Sequence, residues 1–352
     1  MTAQHSMFRF DRPGALIAAL PAVLGFVPEN SLVLVSLEAG QLGAVMRADL
    51  VEDLLGDVGQ LAGVVASSGA DAAVAVIVDA EAALCPACDD EHRRLCQQLS
   101  AALAENGVRL AEAHVVDRIE AGGTWHCVDG CGAHGTVDDP GSSPLAVAAV
   151  LDGRRLYDRR ADLQEVVAVS DPERAAGLAD ALRAGDARRV GRWTADPDGC
   201  GRADVERAMA AAAQVSNGGQ PAEVDIVAMA CSLIDVAVRD TLYALAVGSQ
   251  AAAAEALWGL LARTLPDPWR VEALVLLAFS AYARGDGPLA GISLEAALRA
   301  DPAHRMAGML DTALQSGMRP EQIRELADTG YRLAERLGVR LPPRQGFRRR
   351  AG

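Results

Sequence analysis

Seven cysteines and six histidines are the scarce reactive side chains of this 352-residue chain, and two short segments concentrate them. One is Cys85-Pro-Ala-Cys88. The other, TWHCVDGCGAHG at residues 124–135, sets Trp125, His126, Cys127, Cys131 and His134 among glycines. Thiolates at such short spacings can reach one ion, so Cys85, Cys88, Cys127 and Cys131 form a candidate tetrahedral zinc set. The second pair is one residue wider than a usual knuckle, and 38 residues separate Cys88 from Cys127. The sequence establishes no cofactor; zinc is the ion these residue types would hold. Two other readings fit the same residues. Cys-Pro-Xaa-Cys between a strand and a helix is the local layout of a thiol–disulfide oxidoreductase, in which the helix N-terminus stabilises a thiolate. Here Asp89, Asp90 and Glu91 work against that by raising the thiol pKa. The plainest reading is ordinary core or loop cysteines.

Other residues invite the same comparison. Cys88, His92 and Cys96 fall on one helix face, as a metal face or as a core stripe would. His114, inside a strand, reads as a packed or hydrogen-bonded core histidine. Arg239 and Asp240, with Asp235 one helical turn before Arg239, form local ion pairs or contact a ligand. No two carboxylates are singled out by their surroundings as a general acid and base.

The elements that must position these residues are readable from periodicity. Residues 13–24 have helical apolar spacing, with Pro13 in the first turn and Gly25 as a stop. SLVLVSLE (31–38) reads as a strand, and residues 41–50 return as its antiparallel partner. PENS (28–31) sits between helix and strand, a place where ligands can bind, and reads more simply as a turn that fixes that strand's register. A helix over 52–67, a buried strand at 72–78, a helix over 89–105 and a strand at 109–116 follow. The last three make a βαβ crossover with parallel strands. The expectation is an α/β domain over 1–145 with a small mixed sheet of three or four strands. In it, the loops after the two parallel strands lie at one sheet edge, bringing CPAC near Cys127 and Cys131. From Pro144 onward the periodicity is helical, giving an all-α domain over 146–340. GRWTADPDGCGR (191–202) is the clearest linker. Leu277, Ala281, Ala290, Ala297 and Pro302 match a tetratricopeptide-like helical hairpin within about 269–316, where small alanines let two helices approach closely. One hairpin is short of an array. Residues 341–352 read as a basic flexible tail.

Composition narrows the function. All 33 basic residues are arginine and the formal charge is −14, which disfavours nucleic-acid binding. Without lysine, a phosphate-loop lysine, a Schiff base and a kinase strand lysine are excluded. No apolar run reaches the roughly 20 residues that span a bilayer, so a cytoplasmic, membrane-free protein is expected. The odd cysteine count disfavours a fully paired secreted framework.

The opening ALIAALPAVLGFVPENSLVLV resembles the start of an actinobacterial domain family of unknown function, DUF4192. The matching positions are Pro21, Leu24, Gly25, Phe26, Pro28, Asn30, Ser31, Leu32 and Val33. The resemblance continues in VAVRDTLYA, around Arg239 and Asp240, and in the helical stretch from Ala273 to Leu310. It implies an α/β part followed by a helical part and brings no activity with it. Members of the family carry a tryptophan, a cysteine and then a Cys-Cys-Pro-Pro-Glu-Gly run. This chain keeps Trp125, Cys127 and Cys131-Gly132, and lacks the doubled cysteine, the prolines and the glutamate. The function expected is protein or ligand binding, with the helical half presenting a surface to a protein or peptide. The alternatives are an oxidoreductase using CPAC and a small-molecule enzyme with its pocket at the C-terminal edge of the sheet.

Overall fold

The structure, a computed structural model, describes residues 12–51, 53–81, 86–151 and 154–345. Cys85, and with it half of the CPAC pair, lies outside the described residues, as does the chain from 346. The chain divides into two compact units, one running to Asp162 with Gln315–Gly317 and the other comprising Leu163–Leu314 and the chain from Met318.

The first unit is built on a six-stranded mixed sheet. In chain order its elements are α1 (Pro13–Leu24), β1 (Ser31–Glu38), β2 (Gln41–Asp49), α2 (Leu54–Ser67), β3 (Ala72–Val78), α3 (Pro86–Glu105), β4 (Arg109–Val116), β5 (Thr124–Cys127), β6 (His134–Thr136) and α4 (Pro144–Leu151). The strand order is β2-β1-β3-β4-β5-β6. Only β3 and β4 pair in parallel, so α3 is the expected crossover. Every residue of β3 is buried, which is why AAVAVIV shows no alternation: a central strand covered on both faces needs apolar side chains at every position. The PENS turn acts as read. Ser31 is buried, its hydroxyl donates to the Glu29 carbonyl at 2.5 Å and accepts from Arg47 Nε at 2.7 Å, tying β1 to β2.

The two faces of this sheet matter for the cysteines. Leu32, Leu34, Ala75, Ile77 and Val115 share a core with α2 and α3, through Val58, Val65, Leu99 and Leu103. The alternate positions, among them Val33, Val76, His114 and Val116, point to the other face. There α1 lies against the β5–β6 hairpin: a Cβ on Gly14 would overlap the Thr136 carbonyl and stand 3.4 Å from Trp125 Nε1. The two hairpin strands were not foreseen. With four and three residues, rich in polar side chains and glycine, they are too short to show a period.

The second unit is helical. After α5 (Arg160–Glu165) come α6 (Pro172–Gly177), α7 (Ala179–Ala195), α8 (Pro197–Ser216), α9 (Glu223–Leu233), α10 (Val236–Leu242), a 3-10 turn at Tyr243–Val247, α11 (Ala251–Thr264), α12 (Arg270–Arg284), α13 (Gly287–Ala300), α14 (Arg305–Gln315) and α15 (Pro320–Leu337). The expected linker at 191–202 is instead a tight corner inside this unit. Asp196 alone separates α7 from α8 and caps α8 by accepting from Gly199 N at 2.9 Å; its Asp-Pro pair starts a helix instead of breaking the chain. The expected free tail is also anchored at its beginning. Ser249 N donates to Pro343 O and Gln345 N to Val247 O, each at 2.9 Å, and Arg344 pairs with Asp328. Among the described residues, no helix is long and apolar enough to cross a membrane.

Candidate functional site

The stretch around Cys127 is a β-hairpin. Cys127 ends β5, its N–H donates to Ala133 O at 2.9 Å, and Val128–Ala133 make the turn. Gly130 and Gly132 both have positive φ, 76° and 80°, a region that glycine enters at no steric cost. Asp129 organises the loop, its carboxylate accepting from Cys131 N at 2.8 Å. The sulfurs of Cys127 and Cys131 both lie within 4.8 Å of the same carboxylate. The result is a compact group: ligand atoms of Cys127, Asp129 and Cys131 all lie within 4.8 Å of one another.

The electrostatics follow from that sharing. Hydrogen bonds from the Cys127 thiol, then from the Cys131 backbone and thiol, hold the Asp129 carboxyl down at about 2, with a smaller contribution from His114. Desolvation, followed by the bond to Asp129, pushes the Cys127 thiol up to about 12. At neutral pH the group is therefore a carboxylate holding a thiol proton. A divalent ion would displace that proton, since metals bind thiolate.

Strand alternation decides which neighbours face the group. Cys127 lies opposite His114, and His126 opposite Val115. Val115 and Val128 belong to the core beneath α2 and α3, so Cys127 points to the opposite face of the sheet from α3, which carries Cys88 and packs into that same core. His126 does face α3: its Nε2 lies 3.0 Å from Asp89 Oδ1. The first turn of α3 and the hairpin thus meet, as the βαβ reading expected, but through His126 and Asp89. His134, paired with His126 across the hairpin, is exposed and rests its Nδ1 3.0 Å from Gly132 O. Trp125 is buried, in an edge-to-face contact with His114 at 5.1 Å.

His114 is the neighbour on the Cys127 side. It is buried, its Nε2 lies 2.8 Å from Glu112 Oε2, and its Nδ1 has no hydrogen-bond partner. On α3, burial pushes the Cys96 thiol up to about 12, and His92 is buried with Nε2 3.2 Å from Asp79 Oδ2. That fits the core-stripe reading of this helix face. Asp129 was missed in the sequence because one acid inside Cys-Val-Asp-Gly-Cys carries no period; the signal present was an Asp-Gly turn between two cysteines.

Arg239 and Asp240 belong to the other unit. Arg239 Nε donates to Asp240 Oδ1 at 3.0 Å and Nη1 to Glu272 Oε1 at 3.2 Å, and His304 Nε2 lies 3.3 Å from the same Glu272 oxygen. The Asp235 carboxylate pairs elsewhere: it caps α10 and accepts from Arg189 Nη2 at 2.7 Å.

The conserved profile described as Domain of unknown function (DUF4192) matches residues 13–321. The chain belongs to the DUF4192 family. The match spans both structural units, so the sheet with its hairpin and most of the helical unit are parts of one DUF4192 region. No curated protein and no solved structure matches the chain.

Proposed function

We propose that this DUF4192 protein is a binding protein whose β5–β6 hairpin holds a thiophilic divalent metal, zinc by the chemistry of its donors. The observation that carries the reading is the approach of Cys127, Asp129 and Cys131 to within 4.8 Å of one another. In a tetrahedral zinc site two sulfurs and an oxygen stand about 3.5–3.8 Å apart, so the group needs to contract by no more than about 1 Å, which a loop turning on two glycines permits. Three protein ligands leave a fourth position for water. Cys88, on α3, lies on the other side of the sheet from Cys127 and stands outside the proposed site.

The remaining parts of the reading are proposals of the same kind. Residues 1–145 act as the metal-bearing α/β domain and 146–340 as a helical binding domain in the cytoplasm, contacting a protein or peptide. A tetratricopeptide-like hairpin formed by α12 and α13 is supported by fully buried Ala281, Ala290 and Ala297 and by the Asp301-Pro302 stop. Exposed Ile234 and Val236 at the α9–α10 corner supply apolar surface for a partner.

Purified full-length protein, reduced, loaded with zinc and desalted, tests the central part. One zinc per chain that falls to background in Cys127→Ser supports it. Zinc retained equally by wild type and Cys127→Ser refutes the hairpin as the site.

A further inference from the structure

We infer that the helical unit contains a second, independent site: a pocket for a small organic anion, formed by α7, α8 and α9. A cavity of about 610 Å³ opens between these helices, within the range of small-molecule sites. Four arginines line it, Arg188, Arg189, Arg192 and Arg207, and among the described residues no carboxylate does. In a chain of net charge −14 such a grouping is against the average. The cavity's other walls are apolar, with Ala195 from α7 and Val224, Val227, Ala228 and Cys231 from α9.

Three of the arginines are already held by acids. Arg189 donates to Asp204 at 2.9 Å and Asp235 at 2.7 Å, Arg192 lies 3.6 Å from Asp204, and Arg207 lies 3.4 Å from Asp225. Asp204 is fully buried, so its hydrogen bond, with that of Asp235, fixes the position of Arg189. A further acid, Asp186, bonds Trp269 Nε1 at 3.2 Å and interacts with the buried Cys231 thiol. Arg188 is different: among the described residues it forms no ion pair with a carboxylate. Arg188 is exposed, so its guanidinium, a planar fork of donors, lines the open rim of a depression whose floor is the buried Val227 with Ala228. That arrangement fits a carboxylate, sulfonate or phosphate attached to an apolar body, the anion on the arginines and the body on Val227 and Ala228. The volume favours a small molecule over a folded partner.

Two variants test this without disturbing the fold. Arg188→Ala removes a cation that makes no ion pair. Gly191→Leu projects a side chain from a position whose Cβ meets nothing within 4 Å and which lines the cavity. The probe is anilinonaphthalene sulfonate, titrated by fluorescence into the full native chain. The expected result is saturable binding at one site, weakened about tenfold or more in Arg188→Ala and abolished in Gly191→Leu. Both variants should keep the wild-type circular dichroism, and inorganic phosphate should compete only weakly. Absence of saturable binding, or binding unchanged in both variants, overturns the inference. Displacement by phosphate at concentrations as low as those of the organic anion overturns the apolar half of it. If a short polyglutamate peptide binds at this site and the sulfonate does not, the site is a peptide dock and the small-anion assignment is wrong.

Discussion

Replacing Asp204 by asparagine should unfold the helical unit at markedly lower denaturant. Asp204 is completely buried on α8, where Oδ2 accepts from Arg189 Nε at 2.9 Å and Oδ1 lies 3.6 Å from Arg192 Nη2. Arg189 is itself nearly buried, with a side chain 11% exposed. Burial alone would lower its pKa, but the carboxylates of Asp235 and Asp204 outweigh that and hold it above the ordinary arginine value. Asparagine keeps the shape and some of the hydrogen bonding while removing the charge. Removing one partner of a buried ion pair costs about 3–5 kcal/mol, because the remaining charge stays desolvated. Arg189 retains Asp235, so about 3 kcal/mol, the low end, is expected. Against a typical domain stability of about 5–15 kcal/mol that is a large fraction. Equilibrium urea unfolding of the full chain, followed by far-UV circular dichroism and by tryptophan fluorescence, reads it out. Trp193, Trp258 and Trp269 report on the helical unit and Trp125 on the sheet. Asp180→Asn is the control: its pair with Arg183 is exposed, so a change within about 0.5 kcal/mol is expected. An Asp204→Asn midpoint as close to wild type as the control's would refute the reading that the buried Asp204–Arg189 pair stabilises this unit.

Further outcomes follow from the same physics. Gly14→Ala should destabilise the sheet unit by about 1–3 kcal/mol, since its Cβ overlaps the backbone oxygen of Thr136, which has no rotamer to move to. Gly63→Ala in α2, with nothing within 4 Å of its Cβ, should instead gain about 0.4–1 kcal/mol; thermal unfolding showing the same sign for both would contradict the packing described. The Cys127 thiol, raised from 9.0 to about 12 in the folded state, binds its proton more tightly than in the unfolded chain. Its contribution to stability is then intact below about pH 9 and lost as the pH rises toward 12. Timed alkylation with peptide mapping between pH 7 and 9 should modify exposed Cys131 well before Cys127, and equal rates would show that Cys127 is neither desolvated nor bonded to Asp129. Asp129→Asn should speed Cys127 alkylation, because the carboxylate that holds its proton is gone.

Much of this fold was legible because its elements are long or sharply punctuated. The strands at 31–38, 72–78 and 109–116 appear with the boundaries that β-branched runs and flanking turns indicate. Glycine and Asp-Pro, both good helix breakers, end α12 and α13, with Gly285 left-handed at φ 89°. What failed did so for physical reasons. The β5–β6 strands hold through pairing with β4 and packing under α1, contacts distant in sequence, and their own seven residues carry no period. The Asp-Pro at 196–197 lies in the segment expected as a linker, and proline in a first turn starts a helix there. At the site, the cysteines and Trp125 were visible as residue types. Which side of the sheet each occupies was not, because that depends on the β4–β5 register, and a one-residue shift would exchange His126 for Cys127.

The central claim, a metal held by the hairpin, is tested most directly by titrating the reduced full chain with cobalt(II) under anaerobic conditions and recording its absorption. The account predicts a thiolate-to-cobalt charge-transfer band that saturates at one equivalent, weakens in Cys131→Ser and Asp129→Asn, and vanishes in Cys127→Ser. Zinc should displace it. Absence of the band in wild type, or a band of full strength in Cys127→Ser, would contradict the account.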